Sequence, residues 1–406
     1  MYDIAAIGAW LEFAVRWLHV ITAIAWIGSS FYFIALDLGL HRDRNLASGA
    51  DGEEWQVHGG GFYHIQKYLI APDAMPAHLV WFKWEAYSTW LSGFFLLALV
   101  YYLGSDFYLI DPAVMDLAPW QAIAISLASL GLGWLAYDTI CKSKFGDDNT
   151  RLMIGLYAIL VCLAYFYTHV FSGRAALLHL GAFTATIMSA NVFFIIMPNQ
   201  RIVIADLKAG RKPDAKYGKI AKQRSTHNNY LTLPVIFMML SNHYPLAFST
   251  QNTWIIASLV FLMGVTIRHF FNTMHMRKGT PYWTWLVTAI IFLAIAWLST
   301  APMFRADEDP EAGIVTRFAE AEGFAHVTDI VMGRCSMCHN AEPFYDGILW
   351  APKGVRLDTP ANITRNARMI YLQAGLSHAM PPANVSFIEP AERQAIIDWY
   401  AAATKG

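Results

Sequence analysis

Cys335-Ser336-Met337-Cys338-His339 carries the most definite chemistry in this 406-residue chain. Two thiols on one helical turn can form thioethers to the two vinyl groups of one porphyrin. The adjacent His339 then meets the iron from the proximal side. The alternatives are a thiol redox pair or half of a zinc site. Zinc asks for further Cys or His at ligand spacing, and beyond residue 304 the remaining histidines are His326 and His378. The expectation is one covalent haem c, with Cys335 and Cys338 as attachment points and His339 as iron ligand.

A second axial ligand should lie downstream. Met380-Pro381-Pro382 resembles the Met-Pro loop of small class I cytochromes c, and that resemblance favours Met380. A thioether ligand raises the potential of the iron. His378 and Met369 are the rivals, with His378 expected on the surface.

Histidines recur upstream, in apolar surroundings where ionisable groups are costly and tend to be functional. His19, His179 and His243 fall toward one end of the predicted spans. Together they suggest a b-type haem; packing residues bound by hydrogen bonds are the alternative. Arg16 and His19 share a helix face. His78 and Glu85 are predicted to share a face of the second helix, as an ion pair or as a proton or substrate site.

Trp55-Gln56-Val57-His58-Gly59-Gly60-Gly61-Phe62-Tyr63-His64 reads as a loop. Its glycines let backbone approach a ligand, and Gln, His and aromatic side chains suit a flat polar heterocycle. A flexible re-entrant turn is the plainer reading. Thr226-His227-Asn228-Asn229-Tyr230 enters a later helix, either as an ordinary cap or, with Arg224, as hydrogen-bonding groups for an anion. His58, His227 and Glu85 are therefore candidate catalytic groups. Gln56, Arg224, Asn228 and Asn229 are candidate substrate contacts.

These groups need two different settings. The chain is 56% hydrophobic and 15% charged, against about 25% charged in soluble domains. The apolar runs lie in 1–303, while 304–406 reads as a soluble domain. The net charge of -1 gives no global basic field for nucleic acid. Cys141 and Cys162 are lone and structural in expectation.

Roughly 20 apolar residues cross a bilayer as a helix. Eight segments qualify: 8–38, 77–103, 119–141, 152–171, 176–198, 230–249, 253–271 and 281–301. The first is too long for a signal peptide. With both termini outside, Lys and Arg gather in the inside loops, eight of them in 199–229 alone, and the outside loops hold only Arg174. This predicts an all-α chain, a polytopic bundle of about eight helices in a bacterial inner membrane. An acidic linker at 307–311 then leads to a class I cytochrome c-like domain in the periplasm.

Three runs carry a further resemblance: 55–63; His179-Leu180-Gly181-Ala182 through Ser189-Ala190-Asn191-Val192 to Pro198-Asn199-Gln200; and His227-Asn228-Asn229-Tyr230-Leu231. Together they resemble the bacterial membrane-bound urate hydroxylase family, which joins a membrane domain to a C-terminal cytochrome c domain. The resemblance implies oxidation of urate to 5-hydroxyisourate, with electrons leaving through haem c toward a soluble cytochrome c or a terminal oxidase. A respiratory subunit passing electrons from quinol to cytochrome c is the alternative.

Overall fold

A computed structural model describes residues 4–42, 45–68, 76, 78–111, 114–248, 250, 252–300, 312–345, 348 and 351–405. The acidic linker and the predicted boundary at 303/304 lie outside them.

The first half runs α1 (Ile4–Gly39), β1 (Ala50–His58), β2 (Gly61–Tyr68), α2 (Trp84–Leu97), α3 (Ser105–Tyr108), α4 (Pro119–Lys142), α5 (Asn149–Thr168) and α6 (Gly173–Ala190). A π-helical stretch, Ala98–Tyr102, extends α2. Another, Asn191–Ile196, joins α6 to α7 (Met197–Lys208). Then come α8 (Ala215–Ser241), α9 (Thr253–His275) and α10 (Trp283–Thr300). Side-chain caps explain several of the helix starts. Asp148 accepts from Arg151 N at 2.8 Å and Asp214 from Lys216 N at 2.9 Å.

Six helical stretches among the described residues are long and apolar enough to cross a membrane: Ile7–Gly39, Pro119–Lys142, Asn149–Thr168, Gly173–Lys208, Thr253–His275 and Trp283–Thr300. Large apolar side chains such as Trp10, Ile24, Phe292 and Trp297 point outward from the bundle, as lipid contact requires. The predicted second and sixth segments are helical but differ. Residues 78–83 are not helical, so α2 starts late. The sixth begins at Ala215 rather than 230, and its first half is polar. Small residues bring the helices close. A Cβ on Gly264 of α9 would fall 2.5 Å from the Pro234 ring of α8, and one on Gly133 of α4 would fall 1.9 Å from Phe183 of α6.

The all-α expectation needs a correction. β1 and β2 pair antiparallel, with His58 opposite Gly61. Gly59 and Gly60 have φ of 59° and 80°, the left-handed conformation that a tight two-residue hairpin turn demands. The supposed loop is therefore an ordered hairpin.

The C-terminal region holds a second core, built from α11 (Ala312–Glu320), α12 (Phe324–Arg334), α13 (Pro360–Arg365), α14 (Ala367–Ile370) and α15 (Pro390–Lys405). Val327, Ile330 and Val331 of α12 are buried with Ile396 and Trp399 of α15. The Trp399 indole donates to the Phe318 carbonyl at 2.9 Å.

Candidate functional site

Cys335 terminates α12 and is buried, while Cys338 is half-buried. Cys338 N and His339 N both donate to the Cys335 carbonyl, at 3.2 and 3.0 Å, which closes the turn. Burial pushes the Cys335 thiol up to about 12 and raises Cys338 as well. His339 Nδ1 lies 2.8 Å from the Val355 carbonyl. A carbonyl only accepts, so Nδ1 carries the proton and Nε2 is the nitrogen left for iron. Ligating histidines are commonly held this way. The residues present therefore fit a covalent haem.

Met380 is half-buried against the core that contains Cys335. Its loop is held from both sides. Met380 N donates to the Gln373 carbonyl at 2.8 Å. Arg393, 3% exposed, donates to the carbonyls of Met380 (2.9 Å) and Ala374 (2.5 Å) and to Asn384 (3.3 Å). Burial lowers Arg393 to about 10, with Cys335 first among the groups opposing the shift; it stays cationic at neutral pH. Of the rival ligands, Met369 is exposed. His378 is buried rather than on the surface, at a backbone φ of 52°. Among the described residues no group of three or more His, Cys, Asp or Glu is placed to hold a metal ion.

The bundle histidines differ from one another. His19 Nδ1 bonds the Thr89 carbonyl at 3.0 Å and Ser92 at 3.2 Å. Its ring fits against α2 because position 93 is glycine; a Cβ there would fall 2.7 Å from His19 Cε1. His179 is fully buried. Its Nδ1 bonds the Ala175 carbonyl at 2.8 Å and its Nε2 bonds Ser126 at 2.9 Å. His19 and His179 thus share with His339 an Nδ1 fixed by a backbone carbonyl. A metal on His179 would have to displace Ser126. His243 is exposed at the end of the bundle.

The 226–230 run lies in the middle of α8 and does not cap it. Its side chains join a buried polar network. Arg224 pairs with Asp138 at 2.7 Å, and Asp138 also takes Lys142 at 2.5 Å. The Tyr137 hydroxyl lies 2.7 Å from His227 Nδ1. Asn191 donates to Tyr137 (3.0 Å) and to Asn228 (3.1 Å). Asn229 turns the other way and accepts from Arg268 (3.2 Å) and Asn272 (3.0 Å) of α9. Sequence reasoning missed Asp138, Tyr137, Arg268 and Asn272, and met Asn191 only within a run that carries the family resemblance. Asp138 and Arg268 were findable as charges inside apolar spans.

The remaining candidates lie apart. Glu85 sits in the first turn of α2, where a carboxylate complements the helix dipole. His78 is exposed and outside the helix, so these two do not share a helical face. His58 is exposed at the hairpin turn and lines neither of the two cavities described here. Gln56 lines a cleft of about 280 Å³ with Tyr32, Gly39, Glu54, His275 and Arg277. A second, mostly apolar cavity of about 370 Å³ opens beside Tyr137, His227 and Phe261.

The model of the urate oxidase N-terminal family matches residues 5–299. The chain belongs to that family. No curated protein and no solved structure matches it. Membership in the urate oxidase N-terminal family points to a urate-related oxidoreductase role, and the match spans the membrane-type bundle, the hairpin and the buried α8 network together.

Proposed function

We propose that this protein oxidises urate to 5-hydroxyisourate from a bacterial inner membrane, with its C-terminal domain in the periplasm. The observation that carries the proposal is a conjunction in one chain: a urate oxidase family region over 5–299 and, beyond it, a cysteine pair whose neighbouring His339 keeps Nε2 free for iron.

Urate is a planar monoanion near neutral pH. Its conversion adds water across C5: the monoanion plus H2O gives 5-hydroxyisourate, one proton and two electrons. The protein must hold the anion flat, offer a base and pass the electrons on singly. Held by Cys335, Cys338, His339 and Met380, a haem c would supply a one-electron acceptor able to serve a soluble cytochrome c or a terminal oxidase. The hydrocarbon core is about 30 Å thick, so a substrate bound at the hairpin end needs an intermediate redox group. His19 and His179, each anchored at Nδ1, are the residues we propose to hold a b-type haem in that role, His179 exchanging its Ser126 bond for the iron.

The test is anaerobic addition of urate to oxidised membranes while the haem α band is followed. Urate reduces the band and ubiquinol does not, if the proposal holds. Reduction by quinol alone replaces it with the respiratory reading.

A further inference from the structure

The cleft between α1, β1 and the end of α9 joins unpaired polar groups to an aromatic wall. It is lined by Tyr32, Glu54, Gln56, His275 and Arg277 and measures about 280 Å³, close to the lower end of small-molecule pockets. Tyr32 donates to Gln56 Oε1 at 2.7 Å, and Gln56 Nε2 donates to Glu54 Oε1 at 3.2 Å. Glu54 Oε2 and His275 Nδ1 are both buried and lack a hydrogen-bond partner. Leaving such groups unsatisfied costs about 1–3 kcal/mol each, and their facing one cleft is what a ligand would compensate. Gly39 leaves room for the carboxylate, since a Cβ there would lie 3.1 Å from Glu54 Oε2.

The wall is braced from behind. Arg268, Asn272 and His275 follow one another along α9 at i, i+4 and i+7, a single helix face. Arg268 and Asn272 both bond Asn229 of α8, and the Arg268 guanidinium stacks 4.0 Å over Phe31, next to Tyr32 on α1. Three helices are thus clamped beside the cleft.

We infer that this cleft binds a planar purine anion and that Glu54, with His275, takes the proton released in its oxidation. The inference rests on the urate reading above. Arg277 supplies the positive charge, Gln56 reads the polar edge of the ring and Tyr32 offers an aromatic face. In the reaction a C5–O bond forms to water and one O–H bond of that water breaks. The proton passes to Glu54, and two electrons pass singly to a ferric haem acceptor.

The test uses full-length holoprotein. Urate binding is measured anaerobically on the fully reduced form, where turnover cannot proceed, and turnover is measured on the oxidised form. Glu54→Gln is expected to lower kcat about 100-fold, the ordinary size of a lost general base, with Kd for urate within about threefold of wild type. Gln56→Ala and Tyr32→Leu are expected to raise Kd about tenfold. Val57→Ala, on the opposite face of the strand and exposed, is the folding control and keeps wild-type values. If wild type binds and oxidises urate while Glu54→Gln, His275→Gln and Gln56→Ala all match it, the cleft assignment is wrong and the urate reading stands. If wild type neither binds nor oxidises urate, the urate reading itself has failed.

Discussion

Arg224 and Asp138 meet at 2.7 Å with the arginine only 1% exposed, so a buried ion pair joins α8 to α4. The guanidinium also lies 4.9 Å over the Tyr137 ring. Removing one member of such a pair strands the other charge and costs about 3–5 kcal/mol. Arg224→Met is therefore expected to lower the midpoint of thermal unfolding in detergent sharply. Arg224→Met combined with Asp138→Leu should recover much of that loss. A single variant as stable as wild type would show that the pair does not brace the bundle.

The hairpin turn makes a second prediction. Gly60 has φ of 80° and open space around its missing Cβ, so the barrier to substitution is conformational. A side chain in the left-handed region costs about 1–2 kcal/mol. Gly60→Val should loosen the strand ends and disturb Gln56 and Glu54, four and six positions back along β1. The expected kinetic result is a KM for urate raised severalfold with kcat less affected, read from initial rates against urate concentration.

The same hairpin marks where sequence reasoning stopped. Apolar length announced most of the spans, and the cysteine–histidine spacing marked the turn that the structure closes on the Cys335 carbonyl. The hairpin is not evident from the run because its glycines suit either close approach to a ligand or a flexible re-entrant turn, and neither reading implies paired strands. Gly59-Gly60 between two runs rich in aromatic and β-branched residues is also a two-residue turn signal. α8 was placed 15 residues late because its first half is polar: Arg224, His227, Asn228 and Asn229 are buried against neighbouring helices, which no hydropathy window registers. Glu54 and His275 come together only through the chain reversal at the end of α1, a long-range pairing with no local trace.

Asp358 makes the C-terminal domain's stability depend on pH. It accepts from Arg356 (2.6 Å), Asn362 (2.8 Å) and Ala341 N (3.0 Å), bridging the segment after His339 to the start of α13. These bonds, the Arg356 contact first, hold its carboxyl down at about 2. An unfolded aspartate titrates near 3.9. The folded state binds the proton less readily, so the stabilisation is present above about pH 4 and is lost as pH falls through about 2. Asp358→Asn should therefore lower the domain's denaturation midpoint at pH 7 and differ little from wild type at pH 2. A variant equal to wild type at pH 7 would remove this carboxylate from the account.

His19 and His179 test the membrane redox group by a cofactor count. Pyridine haemochrome spectra of wild type should show b-type haem beside haem c. His19→Ala and His179→Ala should each lose the b component while keeping one haem c per chain. His243→Ala, at an exposed position, should keep both. Wild-type spectra with haem c alone would eliminate the relay and leave the bundle histidines as packing residues.

Arg393 holds the loop that carries Met380, the proposed axial ligand, and a redox titration can read that link. Its side chain holds the Met380 and Ala374 carbonyls and Asn384 from inside the core. Arg393→Gln leaves buried carbonyls without donors, at about 1–3 kcal/mol each, and frees the loop that presents the Met380 thioether. Met ligation raises the potential of haem iron, so weakening it should lower the midpoint potential and diminish the near-infrared methionine–iron band. Covalent haem content should stay near one per chain, because Cys335 and Cys338 are untouched. Arg393→Lys keeps the charge but not the planar fork, and should fall between the two. A merely structural role would reduce yield or stability and leave the potential of the folded fraction unchanged. If Arg393→Gln keeps both the potential and the band, either Arg393 does not position Met380 or Met380 is not the ligand. Met380→Leu decides between these, since it alters the potential only if the thioether is bound.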